Sequence, residues 1–358
     1  MKILLINHYA GSPNLGMEFR PYYVTKGWVK LGHEVLIVGG SYSHLRKVQP
    51  QSCEEMIDDM RYRWVKVNPY KGNGIGRIIS MFSFVTKLYC NYRRYLRNFK
   101  PDIVIASSTY PLDIYPAYRI ARHYHAKLIY EVHDLWPLSL MELGGYSKKH
   151  PFIRIMQKAE DDCYRYADAV VSMLPKAEEH MREHGLTRDK FHYVPNGIVL
   201  SDWNNPKGIP EEHGLLLSKL RAEGKFIVGF AGAHGIANSL YAVIDAVSSL
   251  TEQNVVLVLV GGGQEKENLI KYAHKKGVTN VYFLLPINKL AIPNLLKEMD
   301  VLYIGLQKQS LFRFGISPNK MFDYMMAAKP IIQAIDAGNN LVREADCGID
   351  VEPDNVSE

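Results

Sequence analysis

The 358-residue chain has no apolar run of membrane-spanning length, no low-complexity tract and no internal repeat. A span needs roughly 20 apolar residues, so a protein that is soluble or lies on a membrane surface is expected. The leading apolar run, Ile3 to Ile6, is cut off by Asn7 and His8 and is too short for a signal peptide. Cysteine is scarce: Cys53, Cys90, Cys163 and Cys347 stand far apart, without C-x-x-C and without companion histidines at metal spacing. That excludes a disulfide framework and points to a reducing cytoplasm. Excess charge is small too. A net +6 is less than a dedicated nucleic-acid binder carries, so no nucleic acid is expected as partner. It suits an anionic small molecule or an anionic membrane surface. Neither a G-x-G-x-x-G nor a G-x-x-x-x-G-K-[ST] is present, and "VGGSYSH" ends the second strand candidate without an acidic residue. Dehydrogenase-type dinucleotide binding and a P-loop are thereby disfavoured.

What is present is alternation. Strand candidates fall at residues 2–7, 34–40, 64–68, 102–108, 127–132, 169–173 and 191–195, then at 225–232, 255–261, 281–286, 301–306 and 330–335. Stretches with helical spacing separate most of them, which argues for α/β architecture with parallel sheets of β-α-β units. Between the two series lies "NGIVLSDWNNPKGIPEEHG", rich in Asn, Pro and Gly. The expected organisation is an N-terminal domain over 1–198, a linker over 199–224 and a C-terminal domain over 225–358. Two doubly wound domains facing across a cleft are predicted, with ligands beyond the carboxyl ends of the strands.

Two loops and a helix start carry the candidate chemistry of the second domain. "FAGAHGIANSL" (230–240), with Gly232 and Gly235, and "LVGGGQEKENL" (259–269), with Gly262, are glycine-bearing strand-to-helix turns. Such turns either bring backbone N–H groups to an anion or are simply tight connections. In "FRFGISPNKMFDYMMAAKPII" (312–332), Ser317 reads as an N-cap and Pro318 as the first helical residue. Lys320 adds a positive charge there, and Asp323 lies one turn on, toward the side of Lys320 and Asn319. This pattern suits a nucleoside diphosphate, with cation and amides on the diphosphate and the acid on ribose hydroxyls. A capped helix with a solvated Lys–Asp pair is the alternative.

The segment "GISPNKMFDYMMAAKPII" resembles the donor-binding motif of the retaining glycosyltransferases of family 4, which have the GT-B fold of two Rossmann-like domains. The branch it resembles includes bacterial N-acetylfucosamine-transferase-like enzymes of surface-polysaccharide synthesis. "GHEVLIVGG", "PDIVIASS", "EVHDLWP", "ADAVVSML", "VPNGI", "VLVGGGQEKENL" and "EMDVLYIGL" follow in the family's order. The resemblance implies transfer of a sugar from a nucleotide-diphosphate donor, a UDP-sugar, to a glycan or polyprenyl-diphosphate-linked acceptor with retention. It places Asp323 at the ribose and His133 near the reacting carbon, with Asp134 a polar partner on the acceptor side. The family's donor-sugar glutamate falls on Gly315, and its diphosphate Arg and Lys fall on Ala233 and Asn238. Lys320, with Arg313, is left as the cation for the leaving group. The loop with Gly11, Asn14 and Gly16, and Glu18 and Arg20 beyond, is assigned to the acceptor side.

The sequence reads as having no D-x-D flanked by strand signals and no paired-histidine spacing, so neither a metal nor another cofactor is expected. The stretch 71–100 holds seven basic and no acidic residues, with Ile78, Phe82, Val85, Tyr89, Tyr92, Leu96 and Phe99 at helical spacing. It suits an anionic leaflet, as a peripheral contact on the inner face of the cell membrane, or a covering helix with a solvated face. The chain stops at "VEPDNVSE", where relatives continue into C-terminal helices, so either the second domain is incomplete, with weak or absent activity expected, or the fold ends early. A nucleotide-sugar epimerase on the same fold and a non-catalytic sugar-binding protein are the rival functions.

Overall fold

The computed structural model describes residues 1–16, 19–72 and 74–358, with Phe19 described by its backbone alone. Two compact units result, Met1–Pro195 and Asn196–Glu358.

The first unit is built on β1 (Lys2–Ile6), β2 (Glu34–Gly40), β3 (Glu54–Ile57), β4 (Met60–Val65), β5 (Ile103–Ala106), β6 (Lys127–Val132), β7 (Ala169–Ser172) and β8 (Phe191–Tyr193). They form one sheet in the order β3-β4-β2-β1-β5-β6-β7-β8. Every pairing is parallel except that of β3 with β4. The central strands read as unbroken apolar runs because helices cover both faces of a parallel sheet. Leu4, Leu5, Ile6, Leu36, Ile37 and Val38 are all fully buried. The sequence reading missed β3: "EEMI" has neither alternation nor β-branched enrichment, and it is tolerated because it lies on the sheet edge.

The long basic helix forms over Ile75–Leu96 and buries Ser80, Met81, Phe84, Val85, Leu88, Tyr92 and Leu96. Its inward face is therefore rotated from the expected one. Val85, Tyr92 and Leu96 do face inward, whereas Phe82 and Tyr89 are exposed along with Ile75 and Ile79. Arg77 turns inward as well, with Nε donating to the Tyr9 hydroxyl at 3.0 Å.

The second unit carries β9 (Phe226–Ala231), β10 (Val255–Val260), β11 (Val281–Leu284), β12 (Val301–Gly305), β13 (Ile331–Ala334) and β14 (Gly348–Asp350). All are parallel, in the order β11-β10-β9-β12-β13-β14. Counted from β9 this is the 3-2-1-4-5-6 order of a doubly wound sheet. Strand order reverses between β9 and β12, so the ligand crevice of such a sheet lies outside their carboxyl ends. The expected linker needs correction. The unit begins at Asn196, and residues 199–224 hold helices Leu200–Asn204 and Glu211–Ala222. Leu217 and Leu220 of the second helix lie in the core with Ile227 and Val256. The Asn, Pro and Gly of this stretch break helices without separating them from the domain.

Candidate functional site

In the second unit the site grows from the carboxyl end of β9. Helix Asn319–Met326 is pinned there by Tyr324, which is fully buried; its hydroxyl accepts the Ala231 N–H at 2.9 Å. Four residues earlier is one helical turn on the same face, so Lys320 is delivered to the same strand end. Its Nζ lies 4.5 Å from the Phe230 ring centroid and donates to Asn238 Oδ1. A Cβ placed on Gly232 would stand 3.5 Å from Lys320 Nζ. Among the described residues no carboxylate pairs with this ammonium, and burial lowers its pKa from 10.5 to about 8. The ammonium thus sits at the switch point held by a ring face and one neutral amide, an arrangement that favours an incoming anion.

The two glycine turns are zipped together. His234 N–H donates to Gly262 O at 2.8 Å, Glu265 N–H to His234 O at 3.0 Å, and Lys266 Nζ to Gly261 O at 2.9 Å. At Gly261, where φ is +153°, a Cβ would fall 1.9 Å from Gly232 O. Close backbone approach therefore accounts for the glycine there. Gly235 leads into the short turn Ile236–Asn238. The His234 ring is fully buried with neither nitrogen hydrogen-bonded. Burial, with the charges of Lys266 and Lys320, lowers its pKa to about 4, so it stays neutral.

The helix start differs from the expectation. The helix begins at Asn319, Pro318 is its extended N-cap residue, and no side chain caps it. Ser317 is occupied elsewhere: its Oγ accepts Asn196 N–H at 2.8 Å and its carbonyl accepts Asn196 Nδ2 at 2.6 Å. Lys320 and Asp323 do not pair either. Asp323 Oδ1 accepts the Trp203 indole N–H at 3.3 Å, and burial raises its pKa while Lys289 and Trp203 oppose the rise. Arg313 folds back, its guanidinium 4.3 Å from the Phe314 ring centroid and donating to Ser310 O at 2.7 Å. Asn319 is exposed.

In the first unit, His133 follows β6 and joins a network across strand ends. Asn7 Nδ2 donates to Ser107 O at 2.6 Å, and Ser107 Oγ donates to Glu131 Oε2 at 2.6 Å. The single Ser107 proton is thereby committed, so its Oγ accepts from His133 Nε2 at 2.9 Å. Arg20 Nε donates to Glu131 Oε1 at 2.9 Å, and its other nitrogens hold Pro195 O and Val194 O. Burial alone would raise the Glu131 pKa, but His133, Arg20 and Ser107 outweigh it and hold it well below the usual carboxylate range. Asp134 accepts the Trp136 indole N–H at 3.2 Å and has its pKa raised by burial.

On the expected acceptor side, Gly11 O accepts the Tyr62 hydroxyl at 3.1 Å. Asn14 is exposed in a turn closed by Leu15 N–H and Gly16 N–H on Ser12 O. Gly16 has φ +105° and bridges to Arg46. Glu18 lies outside the described residues.

The sequence reading missed Tyr324, Asn238, Trp203, Glu131 and Ser107 as supports. It also overlooked the His180-x-x-x-His184 spacing, a paired-histidine signal in plain view. With Glu160 these histidines form a group whose ligand atoms lie within 4.8 Å of one another.

Both units are doubly wound α/β sheets, and the second carries a cation at its switch point. The chain belongs to the glycosyltransferases: residues 16–197 match the family model described as glycosyl transferase 4-like domain, and residues 225–358 the one described as glycosyl transferases group 1. It is 24% identical over 308 residues to the probable glycosyltransferase WbjE of Pseudomonas aeruginosa, covering 83% of this chain and 72% of that protein. To the putative teichuronic acid biosynthesis glycosyltransferase TuaH of Bacillus subtilis it is 24% identical over 215 residues, 58% of this chain and 50% of that protein. The crystal structure of Anabaena Alr3699/HepE in complex with UDP and glucose aligns with a TM-score of 0.65 at 18% identity, over 100% of this chain and 87% of that one. The fold is GT-B.

Proposed function

We propose that this glycosyltransferase moves a sugar from a UDP-sugar to a glycan or polyprenyl-diphosphate-linked acceptor in surface-polysaccharide synthesis, with retention of anomeric configuration. The observation that carries the reading is Lys320, whose half-buried ammonium at the carboxyl end of β9 has no carboxylate partner among the described residues. A departing nucleoside diphosphate gains negative charge as the bond from the sugar C1 to its phosphate oxygen breaks. A fixed cation in a partly desolvated place is worth most at that moment. The acceptor oxygen bonds to C1 on the face the diphosphate leaves, and the acceptor proton passes to the departing phosphate oxygen. No metal is assigned to this step, because Lys320 and the first-turn amides take the charge.

Asp323, one turn from Lys320, is assigned to the ribose, and Gly232, Gly235 and Gly262 to backbone contacts with the donor. His133 is assigned to the donor sugar; its Nε2 proton is committed to Ser107, which fixes the ring. The name of TuaH and the UDP and glucose bound to HepE favour a uridine donor and a polysaccharide product. Among the described residues no helix is long and apolar enough to cross a membrane. The exposed Ile75, Ile79 and Phe82 on a helix without acidic residues suit a lipid-linked acceptor met at an anionic surface.

The test is product analysis with UDP-sugars and lipid-linked acceptors. Acceptor-dependent release of UDP with an α-linked product from an α-linked donor is expected. Sugar conversion without acceptor would assign an epimerase instead.

A further inference from the structure

We propose that Glu160, His180 and His184 form a structural site for a divalent transition ion, zinc being the best fit, that ties helix Pro151–Tyr166 to helix Glu178–Glu183. The site is independent of the donor-binding residues. His180 and His184 are spaced i,i+4, so their rings share one side, with centroids 4.7 Å apart. Glu160 comes from the neighbouring helix, its carboxylate almost fully buried, with Oε1 already 3.3 Å from His180 Nε2. Two ligands bound at about 2.0–2.1 Å to a tetrahedral ion stand roughly 3.3 Å apart, so this edge needs no rearrangement. The full set lies within 4.8 Å. Closing it requires a modest turn of His184, the most exposed of the three, at the end of its helix.

A second observation points to a cation. Gln157 Nε2 lies 2.8 Å from Glu160 Oε2, 2.9 Å from Asp161 Oδ1 and 2.8 Å from His184 Nδ1. His184 Nδ1 is itself 2.9 Å from Asp161 Oδ1. An amide has two protons for these three neighbours. If His184 Nδ1 is bare, its lone pair faces the Asp161 carboxylate. If it is protonated, its N–H faces the Gln157 amide. Either way one close contact is repulsive. A dication held by Glu160, His180 and His184 turns their lone pairs into attractions, while Asp161, which lies outside that group, supports the His184 ring and a water completes the coordination. Neutral imidazoles with carboxylates form the donor set that zinc and its neighbours prefer over magnesium or calcium. Entry is provided by a cavity of about 330 Å³ lined by Asp161, Tyr164, His184 and Thr187.

Glu160 precedes β7, and His184 precedes β8, so the cluster lies toward the amino ends of those strands. His133 and Ser107 follow the carboxyl ends of β6 and β5. The ion is therefore a staple between helices, and it does not touch the reacting groups.

The full chain, stripped with chelator, is titrated with zinc by calorimetry and with cobalt(II) by visible absorption, and its melting is followed. The expected result is one ion per chain, an intense tetrahedral cobalt spectrum, and a Tm raised by about 5–10 °C at a hundredfold excess over Kd. His184→Asn and His180→Asn should each weaken zinc binding at least tenfold while leaving UDP affinity unchanged. Less than one ion per several chains at saturating zinc, a weak octahedral cobalt spectrum, or variants that bind zinc like the wild type would each overturn the proposal.

Discussion

The Tyr324 hydroxyl accepts the Ala231 N–H at 2.9 Å and so fixes helix Asn319–Met326 to the end of β9. Lys320 stands over Phe230 because of that bond. Tyr324→Phe removes one buried hydrogen bond and leaves the Ala231 N–H without its side-chain partner. A loss of about 1–2 kcal/mol in stability is expected, together with UDP affinity weaker by about three- to tenfold as Lys320 loses its register. Urea melts and calorimetry on the same variant check both.

Lys320 is a stability cost in the free protein. Its pKa is about 8 in the folded chain, against the 10.5 of an ordinary lysine. Between those values the unfolded chain holds the extra proton, so this group makes stability rise as pH rises from about 8 toward 10.5. Lys320→Met removes the partly buried charge and should stabilise the free protein at pH 7 by about 1–3 kcal/mol. Thermal melts at pH 7 and pH 10 test this, and the gain from the substitution should shrink at the higher pH.

The same pKa sets a pH dependence for donor binding. A diphosphate prefers the ammonium form, so UDP affinity should be flat below pH 8 and fall above it by up to about tenfold per unit. In Lys320→Met the fall should vanish. Calorimetry across pH 6.5 to 9.5 is the measurement.

Glu131 holds Arg20 and His133 by a buried carboxylate kept well below the usual range. Glu131→Gln leaves the Arg20 guanidinium buried without its counter-charge, which costs about 3 kcal/mol. Because the folded pKa is depressed, the stability Glu131 confers is full above the ordinary carboxylate pKa and is lost as pH falls below it. Acid melts of wild type and variant should therefore converge as the pH drops below about 4.

Much of this was legible in one sequence. The apolar runs locate every strand except the edge strands β3 and β14, with β4 read a few residues late, since parallel strands buried on both faces need no alternation to be visible. Lys320 was marked by its place near a Pro-led helix start. Ser317 was misread because its hydroxyl bonds to Asn196, a partner 121 residues away that local pattern cannot supply. Local spacing puts Asp323 beside Lys320, but Trp203, from the Asn-, Pro- and Gly-rich stretch before the second sheet, draws it off. The inward face of the basic helix was read rotated, because Ile75, Ile79, Phe82 and Tyr89 are apolar and yet exposed. His180 and His184 sit among glutamates and an arginine in "EEHMREHG", and their third ligand comes from another helix.

The central claim is that the Lys320 ammonium receives the donor's diphosphate. Calorimetric titration of UDP into wild type and Lys320→Met at pH 7 tests it most directly. A charge-assisted contact of about 2–3 kcal/mol predicts a loss of roughly 30- to 150-fold in affinity with the fold intact. Equal affinity for UDP in the two proteins would contradict it.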